Sequence, residues 1–386
     1  MKKLLSSAAI AGLVSFAAAP AMAQGDASAL ELSLGGYFRG YMTYASQDGG
    51  FGVDERHIDI LRDTEVHFTG ETTLDNGLTV GVHVESETDL GDSFDVNESY
   101  MYASGSWGRV NFGGEDGAAY LLQVAAPSAD SNIDGIRQYV QPVNYSGAEA
   151  AAEAAFETAL GLAPGALAGS FDSAFDQWDY AQDMTAANDK FTYLSPVFSG
   201  FQAGVSYTPD VNNFVENSRG LDGVSTDDVA DEYGSAYDVA ARYEGQFDQF
   251  GLTLGAGYTR VNLEEEGVLE EDLDEWNVGG AVTFGGFGVG VVYKDLDVED
   301  LDAEKNILVL GADYTTGPWK VGASWYNNDI EFDDVGDLET DRYAGGLTYT
   351  YGPGMTFRGS VHYIEHEFGG EDVDATAFLI GSQVNF

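Results

Sequence analysis

From Leu30 to the last residue, Phe386, the chain is built of period-two segments roughly nine to twelve residues long, separated alternately by tight turns and by longer acidic loops. Side chains that alternate in this way stand on opposite faces of a strand, so each segment offers one apolar and one polar face. After Ala23 no apolar run reaches 18 residues, which excludes a spanning helix on length. Short two-faced strands repeated this often are the pattern of a closed barrel whose outside meets lipid and whose inside meets water.

Sixteen segments are counted: 30–46, 58–74, 78–87, 98–104, 109–114, 190–195, 201–208, 237–245, 252–261, 276–284, 287–294, 306–314, 320–327, 342–351, 355–366 and 376–386. The second and third are joined by Asp75-Asn76-Gly77, and Asn-Gly is a strong hairpin signal. Gly285-Gly286 joins the tenth and eleventh. One stretch, 115–189, breaks the rhythm with 75 residues and an Ala-rich middle. Without it, 288 residues serve sixteen strands, about 18 for each strand and its connection, which suits spans of about 9 to 11 residues. The expected fold is all-β, a 16-stranded antiparallel transmembrane β-barrel. The long stretch is read either as a surface insertion or as a loop folded into the lumen. Aromatics close to the segment ends, among them Tyr44, Phe68, Tyr100, Tyr102, Phe201, Tyr243, Trp276, Phe284 and Tyr363, are placed on the apolar outer face as interfacial girdles.

The first residues fit this destination. Lys2 and Lys3 precede an apolar stretch from Leu4 to Ala19 and the small-x-small site Ala21-Met22-Ala23, so residues 1–23 read as a signal peptide and 24–386 as the mature barrel. The sequence holds no Cys, and the fold therefore owes nothing to disulfides. Mature chain charge is near −51, from 14 Lys and Arg against 65 Asp and Glu. That sign excludes nucleic acid as a partner and favours cations. With 44 Phe and Tyr and the acids gathered between patterned segments, the composition is not that of a disordered acidic chain. Fifty Gly residues would weaken an ordinary sheet, and in a curved barrel wall they ease bending and close strand approach.

The hairpin Phe68-Thr69-Gly70-Glu71-Thr72-Thr73-Leu74-Asp75-Asn76-Gly77-Leu78, the pair Glu98-Ser99-Tyr100-Met101-Tyr102 and Trp107-Gly108-Arg109-Val110-Asn111-Phe112-Gly113, the stretch Phe191-Thr192-Tyr193-Leu194-Ser195-Pro196 and the terminal Phe386 together resemble the general porins of Gram-negative bacteria, most of all the alphaproteobacterial, Rhodobacter-type group. The resemblance covers essentially the whole mature chain and rests on the order of these short motifs. It implies a homotrimer in the outer membrane, beside lipid and lipopolysaccharide, with the third external loop narrowing each pore. By order that loop is 115–189.

A barrel of 16 strands is wide enough for a water-filled channel. Parity puts Arg39, His67, His83, Arg109, Arg242, Arg342, Arg358 and His362 on the lumen face. Arg39, His67 and His83, with Arg358 and His362 on the fifteenth strand, are read as a basic wall of the constriction, and Glu115, Asp116, Asp130 and Asp134 of the long loop are expected opposite it. Charges facing each other across a narrow pore would sort solutes by polarity and sign. The expected function is passive diffusion of small hydrophilic solutes and ions with a cation preference. A substrate-specific channel and a plugged structural barrel stay open as alternatives. No cofactor is expected. The acidic runs Glu264-Glu265-Glu266, Glu270-Glu271-Asp272 and 295–304 are either solvated charge or weak calcium or magnesium sites, and none has calcium-loop spacing. No nucleophile elbow, phosphate loop or paired His ligand spacing supports catalysis, so the chain is read as no enzyme.

Overall fold

The computed structural model describes residues 30–47, 56–88, 95–129, 133–146, 178–212, 227–267, 271–298, 303–332, 337–368 and 371–386, with a few short pieces between them. The expected signal peptide, 1–23, lies outside the described residues. The wall opens with β1 (Glu31–Gln47), β2 (Ile58–Thr73), β3 (Thr79–Glu87), β4 (Asp95–Gly105) and β5 (Gly108–Gly114). Between β5 and the next wall strand come a one-turn helix, α1 (Ala118–Leu121), and a two-residue hairpin, β6 (Ile133–Asp134) with β7 (Arg137–Gln138). The wall resumes with β8 (Asp189–Leu194), β9 (Phe201–Thr208), β10 (Tyr233–Phe247), β11 (Phe250–Leu263), β12 (Leu273–Phe284) and β13 (Phe287–Val298). It finishes with β14 (Ala303–Thr316), β15 (Trp319–Phe332), β16 (Leu338–Gly352), β17 (Met355–Phe368) and β18 (Glu371–Asn385).

All sixteen expected segments are strands of one closed antiparallel barrel. Closure runs through the last residue. Phe386 exchanges backbone hydrogen bonds of 3.1 Å with Gly36, and β18 continues along β1 from Tyr37↔Asn385 to Gln47↔Ala375. No edge is left to demand a partner, which is the condition for strands to stand in hydrocarbon. Several strands run beyond the expected ends. The acidic stretch expected as a loop at 295–304 is largely ladder, with Asp297 opposite Glu304.

The hairpin turns follow their glycines. Gly285 and Gly286 have φ of +55° and +95°, the primed two-residue turn that matches strand twist. At the Asn-Gly site only Gly77 has positive φ (+81°) and its N–H donates to the Leu74 carbonyl at 2.8 Å, so this turn carries one extra residue.

The outer face is apolar and bare: Leu34, Ile60, Phe68, Val289 and Ile380 are exposed. Two rows of ring pairs bound it. Near the short turns lie Phe201 with Tyr243 (4.5 Å), Phe250 with Phe284 (4.6 Å), Phe287 with Tyr314 (4.3 Å) and Trp319 with Tyr349 (4.5 Å). Towards the long loops lie Tyr207 with Tyr237 (5.0 Å), Trp276 with Tyr293 (5.2 Å) and Tyr343 with Tyr363 (6.4 Å). From Phe284 to Trp276 is about 27 Å of strand, which at a tilt of about 40° rises about 21 Å, so the two rows of rings lie close to the borders of an apolar band about 25 Å tall. Tyr100 and Tyr102 depart from the expected belt. Both are buried on the inner face while Met101 between them is exposed. A phenol suits either face, and Tyr102 uses its hydroxyl to donate to Glu71 at 2.6 Å.

The inner face meets the segment between β5 and β8. Residues 118–129 cross β9 to β15 along a row of glycines. A Cβ on Gly255 would lie 2.7 Å from Val124, one on Gly290 2.7 Å from Pro127, and one on Gly322 2.8 Å from the Ala129 nitrogen. Bending alone does not account for these glycines, because a side chain there would displace side-chain or backbone atoms of the crossing segment.

Candidate functional site

Every residue that parity placed inside is turned away from the apolar face, yet these residues do not form one basic row. Arg39, buried on β1, donates to Gln383 at 3.0 Å and to Asp63 at 3.2 Å, and its guanidinium stacks 3.3 Å over the ring of Tyr139. Its charge is already matched. His67 on β2 and His83 on β3 converge on Glu85: His83 Nε2 lies 2.6 Å and His67 Nδ1 3.7 Å from Glu85 Oε1. Glu65 stands 3.1 Å from the other nitrogen of His67. Arg358 donates to Thr356 at 3.4 Å, and His362 is fully buried beside Ser360, 2.7 Å away. This sector is therefore a mixed arrangement in which His67 and His83 stand among carboxyl groups. Parity reports which way a side chain points and says nothing of what sits beside it.

The acids expected opposite are not opposite. Glu115 and Asp116 leave the end of β5, only two strands from His83, and both are buried there. Glu115 accepts from Asn111 Nδ2, and its backbone carbonyl accepts from Lys190 Nζ. Asp116 accepts from Arg137 at 3.1 and 3.2 Å, both partners belonging to the long segment. Burial pushes the Glu115 carboxyl up to about 7, with the Arg109 guanidinium pulling the other way. Asp116 beside Arg137 raises that guanidinium well above its ordinary range, so Arg137 keeps its charge. Asp134 falls in β6, paired with Arg137 in the ladder, and Asp130 lies outside the described residues.

Sequence reading missed the residues that hold the long segment. Ser206 on β9 accepts from the Ala118 N–H at 2.8 Å, at the first turn of α1. Arg242 on β10 donates to the Gln123 carbonyl at 2.7 Å. Gln182 donates to Thr259 on β11 at 2.9 Å and to the Glu275 carbonyl on β12 at 3.0 Å. Lys294 on β13 donates to the Ala181 carbonyl at 2.6 Å and forms a 2.5 Å ion pair with the buried carboxylate of Glu275. Their only sequence signal is inward parity, shared with many residues that hold nothing. On the other side, Val143, Tyr145, Trp178 and Tyr180 of the segment pack with Ile307, Val309, Tyr326, Ile364 and Leu379 of the wall in one buried apolar cluster.

A closed barrel with an apolar outer band, two aromatic girdles and a polar, charge-bearing inner face is an integral outer-membrane β-barrel of the channel-forming kind. The Gram-negative porin family matches residues 6–369. This chain belongs to that family, and so is an outer-membrane porin channel; family and fold are those of a channel and not of an enzyme. Among solved structures it is similar to an anion-selective porin from Comamonas acidovorans (17% identical, TM-score 0.59, covering 93% of this chain and 100% of that one). It is similar also to a mutant of the Rh. blastica porin (20%, TM-score 0.53, 92% and 100%). Among curated proteins, an uncharacterized protein of Rickettsia felis is 24% identical over 402 residues, covering 89% of this chain and 87% of that protein.

Proposed function

We propose that the channel is a general-diffusion porin with a cation preference, passing small hydrophilic solutes, and that residues 115–189 form its constriction. The observation that carries this reading is the sign of the charge. The chain is formally −49, and on its inner face Glu65 stands 3.1 Å from His67, so a passing ion meets a carboxylate even where an imidazole stands. In a narrow aqueous space such charges act with less screening than in bulk water. The Comamonas neighbour, named as anion-selective, shares the fold alone. Selectivity resides in side chains that the fold does not dictate.

In the same reading residues 1–23 are removed on export, the barrel assembles as a homotrimer in outer-membrane lipid beside lipopolysaccharide, and calcium or magnesium is held weakly at the acidic outer ends of strands. Part of that outer charge is already balanced, since Arg260 pairs with Asp272 (2.5 Å) and Asp274 (3.0 Å). A second reading, a channel restricted to particular solutes, is favoured by the apolar packing of Trp178 and Tyr180 against the wall.

Planar-bilayer conductance of the refolded protein in a salt gradient tests the proposal. Steps in groups of three with a reversal potential favouring potassium are expected. Preference for chloride would sink the cation reading, and small currents blocked by a single solute would favour the restricted channel.

A further inference from the structure

We infer that His67, His83 and Glu85 form a binding site for a d-block divalent cation, zinc being the natural candidate, on the inner face of β2 and β3. The ligand atoms of the three residues all lie within 4.8 Å of one another. The ladder brings them together, because His67 stands opposite Glu85 and Thr69 opposite His83 in the register of β2 with β3. Tetrahedral zinc with bonds of about 2.0–2.2 Å separates its ligands by about 3.4 Å. Coordination requires the 2.6 Å from His83 Nε2 to Glu85 Oε1 to open to that value and the 3.7 Å from His67 Nδ1 to close to it, changes of less than 1 Å.

What distinguishes this cluster from an ordinary hydrogen-bonded trio is the second set of contacts. A metal-bound imidazole uses one nitrogen on the ion and directs the other to an oxygen that fixes the ring. His83 does so here, and His67 brings its far nitrogen to ion-pair distance of a carboxylate. His83 Nδ1 lies 2.7 Å from Thr69 Oγ1, leaving Nε2 for the site. His67 Nε2 lies 3.1 Å from Glu65 Oε1, which leaves Nδ1 for the same point. The far nitrogen of His83 is hydrogen-bonded to a hydroxyl, that of His67 faces a carboxylate, and the near nitrogens converge on one carboxylate oxygen. Two imidazoles and one carboxylate make a donor set for zinc, cobalt or nickel, whereas calcium and magnesium take oxygen alone. His67, whose side chain is 28% exposed, gives an ion a way in, and three protein ligands leave one position for water.

The test is titration of the refolded full chain, stripped of metal, with cobalt and then with zinc in the same sample. Visible cobalt d–d absorption saturating at one equivalent per chain, bleached by one equivalent of zinc, is expected. His67→Ala and His83→Ala should each weaken binding by roughly 100-fold or more, and Glu65→Gln by roughly tenfold through the freed ring. His57→Ala, at the outer end of β2, should bind as the unaltered protein does. Retention of the folded barrel is checked by heat-shifted gel mobility, and His67→Ala carries the test if the more buried His83 variant does not fold. No binding by the unaltered protein, or affinities unmoved in folded His67→Ala, would overturn the assignment. The titration reads binding alone, so its result is independent of whether the channel prefers cations.

Discussion

The segment 115–188 is held in two different ways by the two halves of the wall it crosses. Along β8 to β13 the contacts are polar and directional, through Ser206, Arg242, Thr259 and the ion pair of Lys294 with Glu275. Along β14 to β18 and β1 they are mainly apolar, with Tyr41, Ile307, Val309, Tyr326, Ile364 and Leu379 in one cluster with Trp178, beside the stack of Arg39 on Tyr139 and the Asn144 N–H donated to Gln47. Burial of apolar area is non-directional and roughly proportional to area, so the second half supplies attraction without dictating position. Hydrogen bonds to buried groups are costly to leave unmade, and so the first half fixes where each backbone group must lie. One half holds the segment down and the other sets its register.

Cutting the polar half at its buried charge should give the largest effect. Lys294→Ala leaves Glu275 buried without its counter-charge, and removal of one partner of such a pair costs about 4 kcal/mol. Thermal unfolding in detergent is expected to shift down and residues 178–188 to become open to protease, while Lys294→Met with Glu275→Gln recovers most of the loss. Protection equal to that of the unaltered chain in Lys294→Ala would show the pair to be incidental.

Trp178→Ala probes the apolar half and should cost about 3 kcal/mol, the low end for a buried Trp, because the segment can partly collapse into the space. If the halves play the roles assigned to them, this variant loosens the segment without changing its register. Amide exchange should therefore quicken around 136–145 and stay slow at Ala118 and Gln182. Uniform acceleration across both halves would break the distinction.

The smallest effect concerns pH. The Glu115 carboxyl, raised from its ordinary 4.5 to about 7 by burial, keeps in the docked segment a proton that an exposed carboxyl would have lost. The stability this gives is present at low pH and fades as pH rises through the window between those values. Between pH 6 and pH 8 the segment should lose about 1 kcal/mol of docking, read as faster cleavage at pH 8. Glu115→Gln should flatten the dependence, and an unchanged slope in that variant would place its origin elsewhere.

Much of this architecture is legible in the chain. The sixteen segments, the hairpin at Gly285-Gly286 and the anomalous stretch after Gly114 follow from alternation and turn chemistry, which are local. Tyr100 and Tyr102 show where that reading fails, since an amphipathic ring satisfies both faces and only Met101 marks the outside. The lumen charges fail for another reason. Parity placed Arg39, His67 and His83 correctly inside, but their partners Asp63, Glu65 and Glu85 decide whether they act as a basic wall, and those pairings depend on ladder register. Glu115 and Asp116, expected across the lumen, remain beside the strand they leave because Asn111, Lys190 and Arg137 capture them there.

The sequence by itself determined a closed sixteen-stranded barrel, its apolar outside and the position of its one long excursion, because a period of two and a hairpin turn are properties of neighbouring residues. Only the tertiary structure decided what the inner face does. Gln182 reaches Thr259 and Glu275, and Trp178 enters a cluster with Tyr326 and Ile364, contacts made by a segment without periodicity across a curved wall. No local pattern encodes such pairings; they follow from barrel closure and strand register, which bring together side chains far apart in the chain.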